Sequence, residues 1–233
     1  MLQSSGGSSV YYGVGDVVVL DATYLDEPTR QFRDALRLLF ILANAGESVG
    51  DPSPEPDAVR VIWSQKRLQK MDFWMRNPDH LAHALLDEYE DSNDARWLRH
   101  AKAILNSEEP ELRRDAMAKY LWGAYEPIDT GLAPLISYGL AVTRRHPANR
   151  RRTYFLLSKG ADLAARMVRE MEEARWYANR AELVGLFCEG RTGEDLARMQ
   201  YENPEYANAP NGETISSIAE QVRARLERLE TAR

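Results

Sequence analysis

Five arginines lie close together in the chain: Arg144, Arg145, Arg150, Arg151 and Arg152. No acidic residue lies between them and His146 is their neighbour, whereas the whole chain has a formal net charge of −6. Concentrated positive charge on an acidic protein indicates an anion-binding surface. These arginines can neutralise nucleic-acid phosphates, bind an acidic protein partner, or pair with carboxylates of the same chain. We treat all five as candidate nucleic-acid-binding residues and keep the other two alternatives open.

Other reactive side chains lack the partners that catalysis or metal binding needs. His80 and His83 would share one face of a helix, but a catalytic zinc ion normally takes a third protein ligand. Cys188 follows an apolar stretch, which predicts a small buried residue rather than a nucleophile. The acidic run from Asp87 to Asp91 has no second carboxylate cluster to complete a magnesium site. We therefore expect a protein that is not an enzyme and takes no metal or cofactor.

The arginines are predicted to lie on a hairpin between helices. Apolar residues at helical spacing predict a helix that Asp129 or Thr130 can cap and that runs through Leu132, Leu135 and Ile136 to Gly139. Residues 140–145 alternate at period two, a turn containing Pro and Asn follows, and residues 152–157 predict a second strand. Ser158 is predicted to cap one long helix that runs to residue 175 or beyond.

This order of elements is that of a winged helix-turn-helix protein. The segment from Leu132 to Met167 resembles that family through the Gly139-Leu140 step, the basic hairpin, and the sequence Tyr154 to Gly160 that opens the next helix. The resemblance implies a mostly α (α+β) fold, a multi-helix domain containing a winged helix-turn-helix with a two-stranded wing. Members of that family either bind DNA or join proteins in complexes with SMC-type ATPases.

Two further segments favour the second of those classes. Lys66 to Pro78 (KRLQKMDFWMRNP) and Glu189 to Ile215 resemble blocks in the middle component of bacterial ABC-three-component (SMC-like ATPase, Lamassu-type) defence systems. The resemblance implies a non-catalytic adaptor that links an SMC-like ATPase to an effector subunit in anti-phage or anti-plasmid defence, with double-stranded DNA as a further partner of the wing. The alternative is a dimeric winged-helix transcriptional regulator. Its recognition helix, Thr130 to Tyr138, has no Arg, Lys, Asn or Gln to contact base edges.

Composition places these motifs in an ordinary globular chain. It has 233 residues, 44% hydrophobic and 28% charged, and its single cysteine excludes a disulfide framework. The longest apolar run, Leu38 to Ala43, is too short to span a membrane, and we expect a cytoplasmic protein without membrane contact. We divide the chain into an N-terminal tail with a short strand (1–22), a helical region (23–125), a winged-helix core (126–187) and a C-terminal helical segment (188–233).

The remaining predictions concern the helices and the aromatic residues. Residues 47–57 are predicted to form a loop, and the last helix has an apolar stripe that either packs on its own chain or pairs with a second copy. Most of the five tryptophans are predicted to be core residues on helices. The predicted helices before the hairpin are Pro28–Ala43, Ala58–Met75, His80–Tyr89, Asn93–Leu105 and Glu111–Tyr125.

Overall fold

The computed structural model describes residues 27–107, 117, 119–120, 123–124, 128–146 and 151–231. The predicted tail and strand of residues 1–22 lie outside the described residues. Within the described ranges the protein is mostly helical with a small antiparallel sheet, which confirms the predicted α+β class. No helix among them has both the length and the apolar character needed to cross a membrane.

Helices are formed where apolar residues recur at helical spacing, and several begin at a capping side chain. Ser64 accepts a hydrogen bond from the Arg67 backbone at 3.1 Å, and Asp94 accepts one from the Arg96 backbone at 2.9 Å. The helices, in chain order, are α1 (Glu27–Ala45), α2 (Gln65–Arg76), α3 (Pro78–Ser92), α4 (Ala95–Asn106), α5 (Ile128–Ser137), α6 (Ser158–Glu170), α7 (Glu172–Phe187), α8 (Gly193–Glu202), α9 (Pro204–Asn208) and α10 (Ala219–Thr231).

The strands form one four-stranded antiparallel sheet and one separate short hairpin. The sheet contains β1 (Glu47–Ser48), β2 (Ala58–Ile62), β5 (Ala141–Arg145) and β6 (Arg152–Leu157), and the hairpin contains β3 (Lys119–Tyr120) and β4 (Gly123–Ala124). The order in the sheet is β1-β2-β6-β5, so β6 is a central strand. Ile62 pairs with Tyr154, and Arg145 pairs with Arg152 at the far end of the β5–β6 hairpin.

Helix α1 forms the centre of the core. Its residues Leu38 to Leu42 are almost completely buried, and the helix contacts α2, α5, α6 and α7 together with strands β2 and β6. The α1–α2 contact includes a buried ion pair, in which Arg37 Nε lies 2.5 Å from Asp72 Oδ1. Trp74 on α2 packs edge-on against Phe187 on α7, with ring centroids 4.9 Å apart. These contacts hold α2 and the end of α7 in fixed positions.

Three predicted helix boundaries are wrong. The predicted helix Ala58–Met75 begins with strand β2, because its first residues include three β-branched side chains and pair with β6. The helix itself starts only after Ser64. Part of the predicted helix Glu111–Tyr125 forms the β3–β4 hairpin. The long helix predicted after Ser158 breaks at Met171, which has an extended backbone, so that α6 and α7 both pack on α1.

The last helix packs on its own chain, which is one of the two alternatives predicted for its apolar stripe. Val222 and Leu226 on α10 are buried, and the helix contacts α3 and α4. Arg225 strengthens this contact because its guanidinium lies 2.7 Å from Asp87 and also pairs with Glu90 on α3. A homodimer through this stripe would require α10 to leave these contacts.

Candidate nucleic-acid interface

The β5–β6 hairpin carries four described arginines of the five predicted to bind nucleic acid. Arg144 and Arg145 end β5, Arg151 precedes β6, and Arg152 begins it; Arg150 lies outside the described residues. The His146 backbone donates a 2.8 Å hydrogen bond to the Arg151 carbonyl, which extends the pairing of the two strands toward the turn. Both predicted strands are confirmed, and their pairing places these four arginines at one end of the sheet.

Arg144 is paired with a carboxylate of the same chain. Its Nε lies 2.7 Å from Glu55 Oε2, and its Nη2 donates to Glu55 Oε1 at 2.7 Å, so the contact is bidentate. Glu55 is fixed by a turn in which the Ser53 hydroxyl donates to the Glu55 carbonyl at 2.6 Å. Glu55 is 8% exposed, so this loop holds a nearly buried negative charge against the hairpin.

Arg152 is likewise paired within the chain. Its guanidinium donates to Asp129 at the start of α5, and this hydrogen bond raises the pKa of Arg152. For Arg144 and Arg152 the intrachain alternative is therefore what the structure contains. Arg145, which is exposed like Arg144, differs because no carboxylate among the described residues forms an ion pair with it.

Beside the hairpin lies an open cleft of about 850 Å³, which we call the basic cleft. Three carboxylates, Glu47, Asp129 and Glu194, also face it. The cationic residues that line it are Lys66, Arg67, Arg145, Arg151, Arg152 and Arg191. Hairpin, α2 and the α7–α8 connection thus contribute to one surface on which positive side chains outnumber negative ones two to one.

Two helix N-termini meet at the basic cleft. Ser64 caps α2, and Thr192 caps α8 through a capping box. In this box Thr192 Oγ1 accepts a hydrogen bond from the Asp195 backbone at 3.2 Å, and Asp195 Oδ2 accepts one from the Thr192 backbone at 3.0 Å. Gly193 allows the two helices to approach, since a Cβ there would lie 2.9 Å from the Arg67 backbone nitrogen. The positive ends of both helix dipoles therefore add to the field of the cationic side chains.

The cations of α2 and of the α7–α8 connection are held to different degrees. Arg67 is rigid because its guanidinium donates to the Arg191 carbonyl at 2.8 Å and to the Cys188 carbonyl at 3.3 Å. Arg191 pairs with Glu88 and lies over the Phe187 ring, 5.0 Å from its centroid. Lys66 is held more loosely, since its 2.8 Å pair with Glu194 joins two well-exposed side chains.

The sequence did not identify these three cations as part of a site. They lie far from the hairpin in sequence, and only the fold brings them to it. The one available local signal was the pair of capping residues, Ser64 and Thr192, each followed within three residues by polar or charged side chains. Trp63 was predicted to lie on a helix, but it follows β2 and is 48% exposed at the basic cleft.

The other candidate residues occupy structural positions. His80 is buried, with Nε2 3.2 Å from the Ser216 carbonyl oxygen, and burial lowers its pKa despite the nearby Asp79. His83 instead contacts Asp87, with Nδ1 3.2 Å from Oδ2. Cys188 is fully buried, and burial raises the pKa of its thiol to about 12. In the part of the chain that the structure describes, no three His, Cys, Asp or Glu side chains come together as metal ligands would.

Helix α5, the predicted recognition helix, has no Arg, Lys, Asn or Gln on its surface to contact base edges. Its exposed residues are Asp129, Thr130, Ala133, Ile136 and Ser137. Asp129 is already bound to Arg152, and the others are two short hydroxyl residues and two apolar residues. Comparison of the chain with protein-family models, with curated proteins and with solved structures gave no match.

Proposed function

We propose that this chain is a non-catalytic winged-helix adaptor that contacts DNA through its basic cleft and links an SMC-like ATPase to an effector subunit. The observation that carries the DNA contact is the convergence of hairpin arginines with Lys66, Arg67 and Arg191 on one surface of an acidic protein. Cations spaced along a groove neutralise phosphates without reading base sequence. The contact is therefore expected to be independent of sequence and sensitive to salt.

The order and pairing of elements support the winged-helix part of the proposal. Helix α5, hairpin β5–β6 and helix α6 follow one another in the chain, and β2 adds to the hairpin as a third antiparallel strand. Helix α5 also packs on α1, as neighbouring helices of such a domain would. The β5–β6 hairpin then corresponds to the wing.

The adaptor part rests on the family resemblance and on where its two segments lie. The segments 66–78 and 189–215 are more than a hundred residues apart in sequence but pack together through α2 and α8. Lys66 pairs with Glu194 at 2.8 Å, and the rings of Phe73 and Tyr206 meet edge-on with centroids 5.3 Å apart. Two segments that form one packed unit are better suited to a shared partner surface than two unrelated loops.

The DNA contact is tested by removing the two exposed hairpin arginines that line the basic cleft. The double variant Arg145→Ala/Arg151→Ala is compared with Arg166→Ala/Arg169→Ala, which removes the same charge from exposed positions on α6. Fluorescence anisotropy with a short duplex is recorded over a series of salt concentrations. Removal of each phosphate-binding side chain should lower the slope of log K against log salt by about 0.9, so we expect a decrease of up to about 2 for the hairpin variant.

A hairpin variant with the affinity and slope of the α6 variant would show that the basic cleft does not bind DNA. The adaptor role is tested separately by purifying the tagged chain from its native cell. Co-purification of a coiled-coil ATPase encoded beside it is the expected result. Specific, dimeric binding of the isolated chain to its own promoter would instead support a transcriptional regulator.

A further inference from the structure

Trp63 is the aromatic residue at the basic cleft, and its position is fixed. It lies between the buried strand residue Ile62 and the capping residue Ser64, and it is 48% exposed. Its indole nitrogen donates to Glu47 Oε2 at 3.0 Å, and its ring meets Phe155 edge-on with centroids 6.3 Å apart. A large aromatic ring that is held in place and still half exposed offers a preformed stacking surface.

The cations that share the basic cleft with Trp63 complement such a surface. Arg145 and Arg151 are exposed at the hairpin, and Lys66 follows Trp63 by three residues. Proteins that bind single strands combine a positive groove for the backbone with aromatic side chains on which unpaired bases stack. The basic cleft contains both kinds of group within one surface.

The basic cleft has the volume of a site for one small ligand, and stacking in it requires an unpaired base. Its volume of about 850 Å³ lies within the range of about 300–1,000 Å³ typical of sites for one small ligand. A base in a duplex is stacked on its neighbours and cannot present its face to an aromatic side chain unless it is displaced. A base on Trp63 must therefore come from a single strand, a frayed end or a flipped position.

We infer that the basic cleft binds an unpaired nucleotide of a nucleic-acid strand, with the base stacked on Trp63 and its phosphates contacting the hairpin arginines. This inference rests on the proposed nucleic-acid contact and specifies the form of nucleic acid that the cleft takes. Fully paired DNA binds more weakly in this arrangement because it can use only the cationic part of the surface.

The test uses three variants and two probes, an oligothymidylate and a closed DNA hairpin without unpaired ends. Trp63→Leu removes the aromatic face but keeps an apolar side chain, Trp63→Phe keeps an aromatic ring, and Phe32→Ala removes a 59% exposed aromatic residue outside the cleft. We expect Trp63→Leu to weaken oligothymidylate binding about 5- to 100-fold and paired DNA less than about 2-fold. Trp63→Phe should retain most of the affinity, and Phe32→Ala all of it.

An oligothymidylate with abasic sites makes the comparison specific for stacking. The natural protein should bind the abasic oligonucleotide with the same reduced affinity that Trp63→Leu has for the intact oligonucleotide. Trp63→Leu should bind the abasic and the intact oligonucleotides with equal affinity. Equal weakening of both probes in Trp63→Leu, or unchanged binding of both, would refute the inference while the DNA contact remains. Failure of the natural protein to bind either probe would refute the proposed function as well.

Discussion

The buried charge of Asp72 should be much more important for stability than any ion pair at the surface of the basic cleft. Asp72 Oδ1 lies 2.5 Å from Arg37 Nε, its Oδ2 lies 3.9 Å from Arg76 Nη1, and all three side chains are at most 6% exposed. Burial alone would lower the pKa of Arg37, but Asp72 and Asp34 together raise it. The guanidinium therefore stays charged and needs its partners.

The change Asp72→Ala leaves two buried guanidiniums without their shared carboxylate. Loss of one partner of a buried pair costs about 3–5 kcal/mol, and we expect about 3 kcal/mol here because Asp34 still lies 2.9 Å from Arg37. Asp72→Asn keeps one oxygen acceptor and should cost about 2 kcal/mol. Equilibrium urea unfolding followed by circular dichroism gives the free energy of unfolding of each variant.

The matched control is Glu194→Ala, which breaks the pair with Lys66. Those side chains are 72% and 47% exposed, so the expected loss is less than about 1 kcal/mol. If Asp72→Ala destabilised the protein no more than Glu194→Ala does, burial would not set the strength of these pairs. The account of how α2 is anchored to α1 would then be wrong.

Three further predictions concern a close helix–strand contact, a buried thiol and a buried imidazole. Gly160→Ala places a Cβ 2.3 Å from the Leu140 carbonyl oxygen and should lower the free energy of unfolding by at least about 2 kcal/mol. Gly139 has open space around it but a φ of +64°, so Gly139→Ala should lower the free energy of unfolding by about 1 kcal/mol in the same urea assay. Cys188, with its pKa raised to about 12 by burial, should not react with Ellman's reagent at about pH 8 until denaturant unfolds the protein. Burial lowers the pKa of His80 in the folded protein, so the unfolded chain takes up a proton more readily. Stability is therefore lost as the pH falls through about 6.5, the pKa of a histidine in an unfolded chain. Between about pH 7 and pH 5.5, the free energy of unfolding of His80→Gln should fall less than that of the natural protein.

Local sequence patterns were sufficient for the elements that carry the hairpin. Helix α5 and strands β5 and β6 follow from apolar spacing and from alternation. Helix α5 ends two residues before the predicted Gly139, and each strand boundary lies within one residue of its predicted position. Strand β2 could not be found in this way. An apolar run of this length fits a buried strand or a helix turn equally, and pairing with β6 decides between them.

Of the candidate site, the sequence predicted only the arginines of the hairpin. The hairpin arginines lie within nine residues of the sequence, but the charge that each presents depends on carboxylates from elsewhere in the chain. Glu55 and Asp129 neutralise Arg144 and Arg152, and neither pairing has a pattern that sequence spacing could reveal. Lys66, Arg67 and Arg191 reach the basic cleft through long-range helix packing, which no local motif encodes.

The central place of β6 limits how the molecule can be divided. Its partner β2 comes from a part of the chain about ninety residues earlier, so a fragment containing only residues 126–187 would keep β5 and lose β2. One side of β6 would then expose a row of backbone N–H and C=O groups, the kind of edge that recruits strands from other molecules. Such a fragment should self-associate, and shortened versions of the protein need to begin before residue 58 to keep β6 paired on both sides.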